Sequence, residues 1–301
     1  MEAALYHPEH GYYRRGQDPF GKAGDFYTAE QLQPVFGPIL AAYLGSLRDQ
    51  MNSPADFLVA ELGAGRAEMA EGLAGFRYLP VDVERGWLPE RFRGVVFANE
   101  FFDALPVHVA IRRGEGFREM RVGLDGERFR WIECGPVDAG VARYLWRYCG
   151  SVEEGAAVEA NLDALRWIEE ISRRLERGFL FVIDYGYTAR ELARFPRGTL
   201  MSYRRHIASE DVLAGPGDRD LTAHVNFTAL EDHAAGCGFE KVRFESLSLA
   251  LLRAGEPDNF ASALAAGGEK EAIRRRLQLK TLLFGMGETL RTLLLRKAVR
   301  K

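Results

Sequence analysis

The sequence predicts an α/β doubly wound, mostly parallel sheet, with an antiparallel and helical insertion and an ordered N-terminal loop. Three observations carry this expectation. Short apolar runs bounded by turn residues recur at 57–62, 95–99 and 179–184. They are apolar up to a polar residue at or near the carboxyl end, as strands buried on both faces are. Segments with helical spacing alternate with these runs. Between 107 and 177 the pattern changes to alternating residues joined by turn signals such as Asp125-Gly126.

Residues 1–30 are rich in Tyr, Gly and Pro and fit neither period. Disordered tails are poor in aromatics, so this segment reads as an ordered loop. Residues 31–50 read as a helix with Pro34 near its first turn. FLVAEL, 57–62, is a buried strand that runs into GAGRAEMAEGLAG, a glycine turn continuing as a helix. FRYLPVD ends a second strand at Asp82, and VVFAN, 95–99, is a third. VHVAIRR, GFREMRVGL and ERFRWIECG form an antiparallel ribbon or an extension of the sheet. Helices are expected over 138–149 and 160–177. FLFVID then makes another buried strand, ending in Asp184-Tyr185-Gly186. GTLMSYRRH reads as a strand leaving the core. A helix over 227–236 stops near Gly238. FEKVRFESLSLALL has a strand pattern, and 257–300 looks helical, with LLFGMGETLRTLLL as an apolar helix.

This gives an organisation of 1–50 as aromatic loop and helix and of 51–106 with 178–301 as a Rossmann-like core. Residues 107–177 are then inserted strands and helices on the substrate side.

The 301 residues carry a net charge of −3, which gives no general argument for nucleic acid or an anionic membrane. Six of the 40 basic residues are Lys, so the cationic surface is mostly Arg. Cys134, Cys149 and Cys237 are too scattered for a disulfide framework or a zinc site, and read as reduced core thiols. No metal site is expected. No apolar span reaches membrane length, and the start lacks the pattern of a secretory signal. The expected compartment is the cytoplasm. The sequence leaves a homodimer open.

The main motif is Glu61-Leu62-Gly63-Ala64-Gly65, directly after a buried strand. Gly63 and Gly65 let the backbone approach a ligand, and a following helix start would offer N–H groups. Dinucleotide sheets share such a turn, and it can also be a turn and nothing more. Two details favour S-adenosylmethionine. Glu68 stands where the third glycine of GxGxxG would be. Glu61 would repel a pyrophosphate but attract an ammonium or sulfonium. Asp82, 19 residues after Gly63, suits the hydroxyls of a ribose.

Asn99-Glu100-Phe101-Phe102-Asp103-Ala104 follows the third strand, where open α/β sheets bind ligands. Asn99, Glu100 and Phe101 are candidates for facing the cofactor, with the phenyl rings walling a dry pocket. The alternative is a helix capped by Asn99 with Glu100 and Asp103 in its first turn. Gly24-Asp25-Phe26-Tyr27-Thr28 is either a functional loop or a turn held by Asp25. His206 and His224 flank a Gly/Pro/Asp-rich loop of the kind lids use. His108 and His233 read as structural.

LYHPEHGYY, DPFGKAGDFYTAE, ELGAGR, NEFFDALPV, IDYG, RGTLMSYRRH and DLTAHVNFTAL occur in this order. Over residues 4–290 the chain resembles the MidA-like methyltransferases, the family of the mitochondrial complex I assembly arginine methyltransferase and its bacterial relatives. The resemblance implies a class I methyltransferase fold, S-adenosylmethionine as cofactor and a protein substrate with a target arginine. It implies cofactor roles for Gly24, Asp25, Phe26, Glu61, Gly63, Gly65, Asn99 and Glu100. The sequence departs from the family at Ala64, Ala67 and Asn226, where proline, glycine and aspartate are usual. Chemically, Asp25, Glu100 and Asp103 are candidates to grip a guanidinium, and His224 to take a proton. A small-molecule or other N- or O-methyltransferase, a non-catalytic assembly factor and a nicotinamide-dependent dehydrogenase are the alternatives.

Overall fold

The computed structural model describes residues 1–14, 35–83 and 85–297. In chain order its strands are β1 (Leu58–Leu62), β2 (Arg77–Val81), β3 (Phe92–Asn99), β4 (His108–Arg113), β5 (Gly116–Asp125), β6 (Arg128–Pro136) and β7 (Ala157–Ala160). Then come β8 (Leu175–Tyr187), β9 (Met201–Arg204), β10 (Ile207–Ser209), β11 (Asp220–Thr222), β12 (Val225–Asn226), β13 (Phe239–Ser246) and β14 (Leu290–Lys297). The chain divides into two compact units. The first comprises Met1–Phe26, Phe102–Trp167 and Gly186–Asp232; the second comprises Tyr27–Phe101, Ile168–Tyr185 and His233–Lys301.

The second unit holds a sheet in the order β13-β14-β8-β3-β1-β2. β2, β1, β3 and β8 are parallel, while β14 runs antiparallel to both of its neighbours. Every residue of β1 is buried, as the unbroken apolar run required. The helix Phe36–Gln50 buries Phe36, Ile39, Leu40, Tyr43, Leu44 and Leu47, one face of a 3.6-residue period. That face shares a core with Val95, Phe97 and Phe181. The expected helix over 31–50 is thus present from Phe36, and Pro34 lies outside the described residues. β2 lies on one side of β1 and β3 on the other. Such a reversal of strand order opens a crevice at the carboxyl ends of the strands.

Four expectations for this unit need correction. The helix after the glycine turn is only Met69–Gly72, four residues long. The helix expected over 160–177 is Leu162–Arg174, and the chain from Leu175 is already β8. The strand pattern over 239–252 stops at Ser246, whose hydroxyl caps the helix Leu247–Gly255 by accepting the Leu249 N–H. The helix expected over 257–300 is broken. Glu269–Thr281 is helical, Leu282–Met286 is a π-turn, and Leu290–Lys297 is β14 between β13 and β8. Periodicity cannot distinguish a helix from a strand buried on both faces, and β14 is such a strand.

In the first unit β6-β5-β4-β7 form an antiparallel sheet of their own, which settles the ribbon as a separate sheet. β10-β9-β11 form another, and β12 pairs with Gly186 and Tyr187 at the end of β8. Asp138 caps the helix Ala139–Cys149, accepting the N–H groups of Gly140 and Val141 at 2.8 and 2.9 Å. Tyr144, Leu145 and Tyr148 of that helix pack with Val158, Ala160 and Tyr187. All three cysteines are free, yet only Cys149 is buried; Cys134 and Cys237 are half-buried. The reading of all three as core thiols was too broad.

β1, β3 and β8 meet at one level through glycines, in the register Leu58↔Gly94 and Gly94↔Gly178. Both glycines have φ that favours glycine, +148° and +145°. A Cβ on Gly94 would lie 1.9 Å from the Leu58 carbonyl, and one on Gly178 would lie 1.8 Å from the Gly94 carbonyl. Gly94→Ala and Gly178→Ala should each destabilise the protein by about 2–4 kcal/mol through strain and overpacking. Urea unfolding would measure this, and wild-type stability in either variant would contradict the close strand approach.

Candidate functional site

The carboxyl ends of β1, β2 and β3 bring together Glu61, Gly63, Gly65, Asp82, Asn99, Glu100 and Phe101, all in the second unit. Glu61 is buried on β1 and its carboxylate accepts the Tyr78 hydroxyl from β2. Burial pushes the Tyr78 phenol well above its ordinary range, and the Glu61 charge adds to this, so the phenol stays a donor. The chain then turns at Gly63, φ +70°, and Gly65, φ +50°. The Phe101 ring lies against Gly63: a Cβ there would be 3.0 Å from Phe101 Cδ2. The glycine is therefore required twice, by backbone angle and by the ring.

Asp82 ties the end of β2 to this turn. Its Oδ2 accepts the Gly65 N–H at 2.6 Å and its Oδ1 accepts the Val83 N–H at 2.6 Å. The Arg85 guanidinium donates to the Gly65 carbonyl at 3.3 Å. On the other rim, Asn99 Nδ2 donates to Glu100 Oε1 at 3.4 Å, while Asn99 Oδ1 is buried with no partner among the described residues. The Glu100 N–H donates to the Ile183 carbonyl at 2.9 Å, and Glu100 itself takes a left-handed φ of +50°. No helix follows Asn99, so the capping alternative fails.

An S-adenosylmethionine fits this donor set. A buried carboxylate and an unpartnered carboxamide oxygen suit its cationic end, a second carboxylate suits its ribose, and a glycine turn admits close approach. The short Met69–Gly72 helix is no anion site, which separates this turn from a pyrophosphate cradle.

Asp103 and His224 lie in the first unit. Asp103 is buried and its carbonyl accepts the Ala223 N–H at 2.9 Å. The Tyr13 hydroxyl donates to Asp220 Oδ1 at 2.7 Å. Burial raises the Tyr13 phenol well above its usual range, reinforced by the charges of Asp220 and Asp103. The His224 N–H donates to Thr199 Oγ1 at 3.0 Å. Thr199 in turn donates its N–H to Glu159 Oε1 at 2.7 Å and its hydroxyl to Glu159 Oε2 at 3.2 Å. His224 Nδ1 is buried without a partner among the described residues, and its ring meets Phe195 edge-on. Gly24, Asp25 and Phe26 lie outside the described residues.

His206 sits in the exposed turn between β9 and β10, and Asp184 is fully buried within β8. His233 is 2.9 Å from Glu169 in the second unit. Tyr78, Tyr13, Thr199 and Glu159 were given no role by the sequence, and Asp220 entered only as the first residue of the DLTAHVNFTAL motif. Tyr13 and Thr199 also lie inside quoted motifs, LYHPEHGYY and RGTLMSYRRH, whereas Tyr78 and Glu159 carried no signal.

A family model of S-adenosyl-L-methionine-dependent methyltransferases matches residues 73–245. The mitochondrial "Protein arginine methyltransferase NDUFAF7 homolog" of Drosophila melanogaster is 27% identical over 287 residues, covering 75% of this chain and 63% of the relative. The mitochondrial "Protein arginine methyltransferase NDUFAF7" of Mus musculus is 27% identical over 300 residues, covering 78% and 65%. The chain thus spans just under two thirds of the length of these curated relatives. A Burkholderia thailandensis protein solved with S-adenosyl-homocysteine is 28% identical, with a TM-score of 0.87, covering 100% of this chain and 87% of that one. The sheet is that of the class I methyltransferase fold expected from the sequence.

Burial lowers the pKa of His224 below its ordinary value. Between that depressed value and the unfolded value of about 6.5, the unfolded chain binds more protons than the native one. The stability from a neutral His224 is therefore present above pH about 6.5 and is lost as pH falls below it. Wild type should lose stability between about pH 7.5 and 5.5 more steeply than His224→Asn does. Parallel stability–pH curves would show that the imidazole titrates alike in both states.

Proposed function

The chain belongs to the MidA-like S-adenosylmethionine-dependent methyltransferases, and from that premise we propose that it methylates an arginine side chain of a protein substrate. The observation that supports the cofactor end most directly is the buried Asn99 Oδ1, without a partner among the described residues, at the carboxyl end of β3 beside the strand that carries Glu61 into the glycine turn. S-adenosylmethionine supplies a methyl group already activated on sulfur. Glu61 and Asn99 would hold its ammonium, Asp82 its ribose, and Phe101 would close one side. Keeping Tyr78 protonated fixes the Glu61 carboxylate in place.

The arginine reading draws on the names of the relatives and on the chemistry of the first unit. A guanidinium has a pKa above about 12 and is a poor nucleophile until its charge is drawn away from one nitrogen. Asp103 and Asp220 are buried acids of the kind that do this, and Tyr13 orients Asp220. The nitrogen that gains the methyl must release a proton. His224 is held neutral by burial and has a free Nδ1 among the described residues, so it is the assigned acceptor.

S-adenosyl-homocysteine should raise the melting temperature, by about 2.7 kcal/mol of stabilisation at a hundredfold excess over its Kd, whereas NAD should not. Glu61→Gln should weaken that binding by about 1.5–3 kcal/mol, well beyond the effect of Asp103→Asn. A shift with NAD alone would end the methyltransferase assignment of this crevice. Donor labelled in its methyl group, incubated with lysate proteins of the source, should place label in arginine. Label confined to small molecules, carboxylates or nucleic acid would refute the arginine reading and leave the cofactor site standing.

A further inference from the structure

We propose that the helix Glu269–Thr281 and the turn after it bind an anionic lipid surface, lying flat in its interface with three apolar side chains dipped below the headgroups. An amphipathic helix of a folded protein normally turns its apolar face to the core. This one, in the second unit, does the reverse. Of its 13 residues only Leu279 is buried, while Ile273 and Leu277 are exposed at 50% and 61%. Phe284, in the π-turn Leu282–Met286, is exposed at 69%, although its neighbours Leu282 and Leu283 are buried. Positions four and seven apart share a face of a helix, so Ile273, Leu277 and Phe284 make one outward row.

Cations flank this row on both sides. Lys270 stands three residues before Ile273 and Arg276 three after it; Arg274 and Lys280 stand in the same relation to Leu277. Residues three before and three after a given one fall on opposite sides of it along a helix. All four cations are exposed, and Lys270, Arg276 and Lys280 make no ion pair with any described residue. The fifth cation of the helix is turned inward: Arg275 donates to Glu271 Oε1 at 3.0 Å and to the Ala263 carbonyl at 3.3 Å. Against these five cations the helix carries two acids, Glu269 and Glu271. The net charge of −3 for the whole chain conceals this concentration of positive charge.

The charges and the shape select the occupant. A second copy of the same cationic face would be repelled, so the partner is anionic. The row is a ridge one side chain wide. A stable protein interface takes about 800 Å² per partner around a packed centre, and a ridge offers no such centre. A bilayer needs neither matching shape nor a deep contact. An interfacial helix sinks its apolar face about 5–10 Å into the headgroup boundary. Its flanking cations then meet the lipid phosphates, with their aliphatic stems laid along the apolar row. No described helix is long and apolar enough to cross a membrane, so the contact proposed is one on the surface.

Co-sedimentation of the full chain with phosphatidylcholine vesicles, with and without phosphatidylglycerol, tests this. The protein should partition onto the vesicles that contain phosphatidylglycerol, and added salt should release it. Arg276→Glu combined with Lys280→Glu should lower the partition by at least about tenfold, since each cation near an anionic surface is worth about fivefold. Ile273→Glu combined with Leu277→Glu should lower it as well. All four positions are exposed, so both variants should melt as wild type does, which separates lost binding from lost folding. Phe284→Trp should shift its emission to the blue on binding, as the ring enters the apolar layer. Leu124→Glu, at an exposed apolar position of the first unit, should change nothing. A wild type that ignores the vesicles, or binds them equally without phosphatidylglycerol, would overturn the proposal. So would a partition unaffected by either double variant, or an unshifted emission from bound Phe284→Trp. Capture by poly-glutamate in place of the vesicles would overturn it too, since the face would then belong to an acidic protein. None of these outcomes depends on the methyl-transfer reading.

Discussion

The level at which β1, β3 and β8 cross is the constraint on which the site depends. Leu58, Gly94 and Gly178 stand side by side, and the two missing side chains let three backbones approach. From that line the register runs without interruption to the carboxyl ends, pairing Glu61 with Phe97 and Asn99 with Ile183. A slip of one residue would turn each of these side chains to the other face of the sheet. The height and direction of Glu61 and Asn99 are thus set towards the opposite end of the strands, by residues outside the candidate site. The same line explains why β3 and β8 each carry a glycine between an arginine and the bulky apolar run that follows.

Strain gathers at the rims of the crevice. Ala67 takes φ +59° and Glu100 takes φ +50°, the first beyond the glycine turn and the second after β3. Left-handed backbone costs roughly 1–2 kcal/mol for a residue with a Cβ. At position 67 the MidA-like pattern has glycine, and this chain keeps the glycine conformation with an alanine. The geometry was retained although the residue best suited to it was not. At Glu100 the unusual angle lets the N–H reach the Ile183 carbonyl, and it turns the chain away before a helix can start. Strained non-glycine residues held by surrounding structure are found where a ligand must be met at a fixed angle.

The sequence revealed those parts of the fold and site in which neighbours in the chain are neighbours in space. β1, β3 and β8 stood out as bounded apolar runs, and Glu61, Gly63, Gly65 and Asn99 follow directly from two of them. Contacts across the fold left no trace. Tyr78 reaches Glu61 from the adjacent strand, Glu159 holds a loop 40 residues away, and Tyr13 meets Asp220 across 207 residues. Glu159 sits in a four-residue strand, Ala157–Ala160, too short to give a period at all. β14 failed for the opposite reason. Buried on both faces, Leu290–Lys297 had no alternation to show, and the helical spacing before it was carried too far.

The buried polar groups of the first unit divide by what surrounds them. Glu159 is pushed towards its neutral form by burial, and the donors of Thr199 only partly oppose this. Its role is to hold the 198–200 loop, and through Thr199 the backbone of His224. Asn226 stands where the family has aspartate, and its Oδ1 accepts the Ala229 N–H at 3.2 Å, at the start of the helix Phe227–Gly236. A carboxamide oxygen caps a helix about as well as a carboxylate does. The loss of that charge is therefore absorbed by a capping position. Asp220 is oriented by hydroxyl and main-chain donors, accepting both the Tyr13 hydroxyl and the Leu221 N–H. Such donors stabilise the charged form of a buried carboxylate.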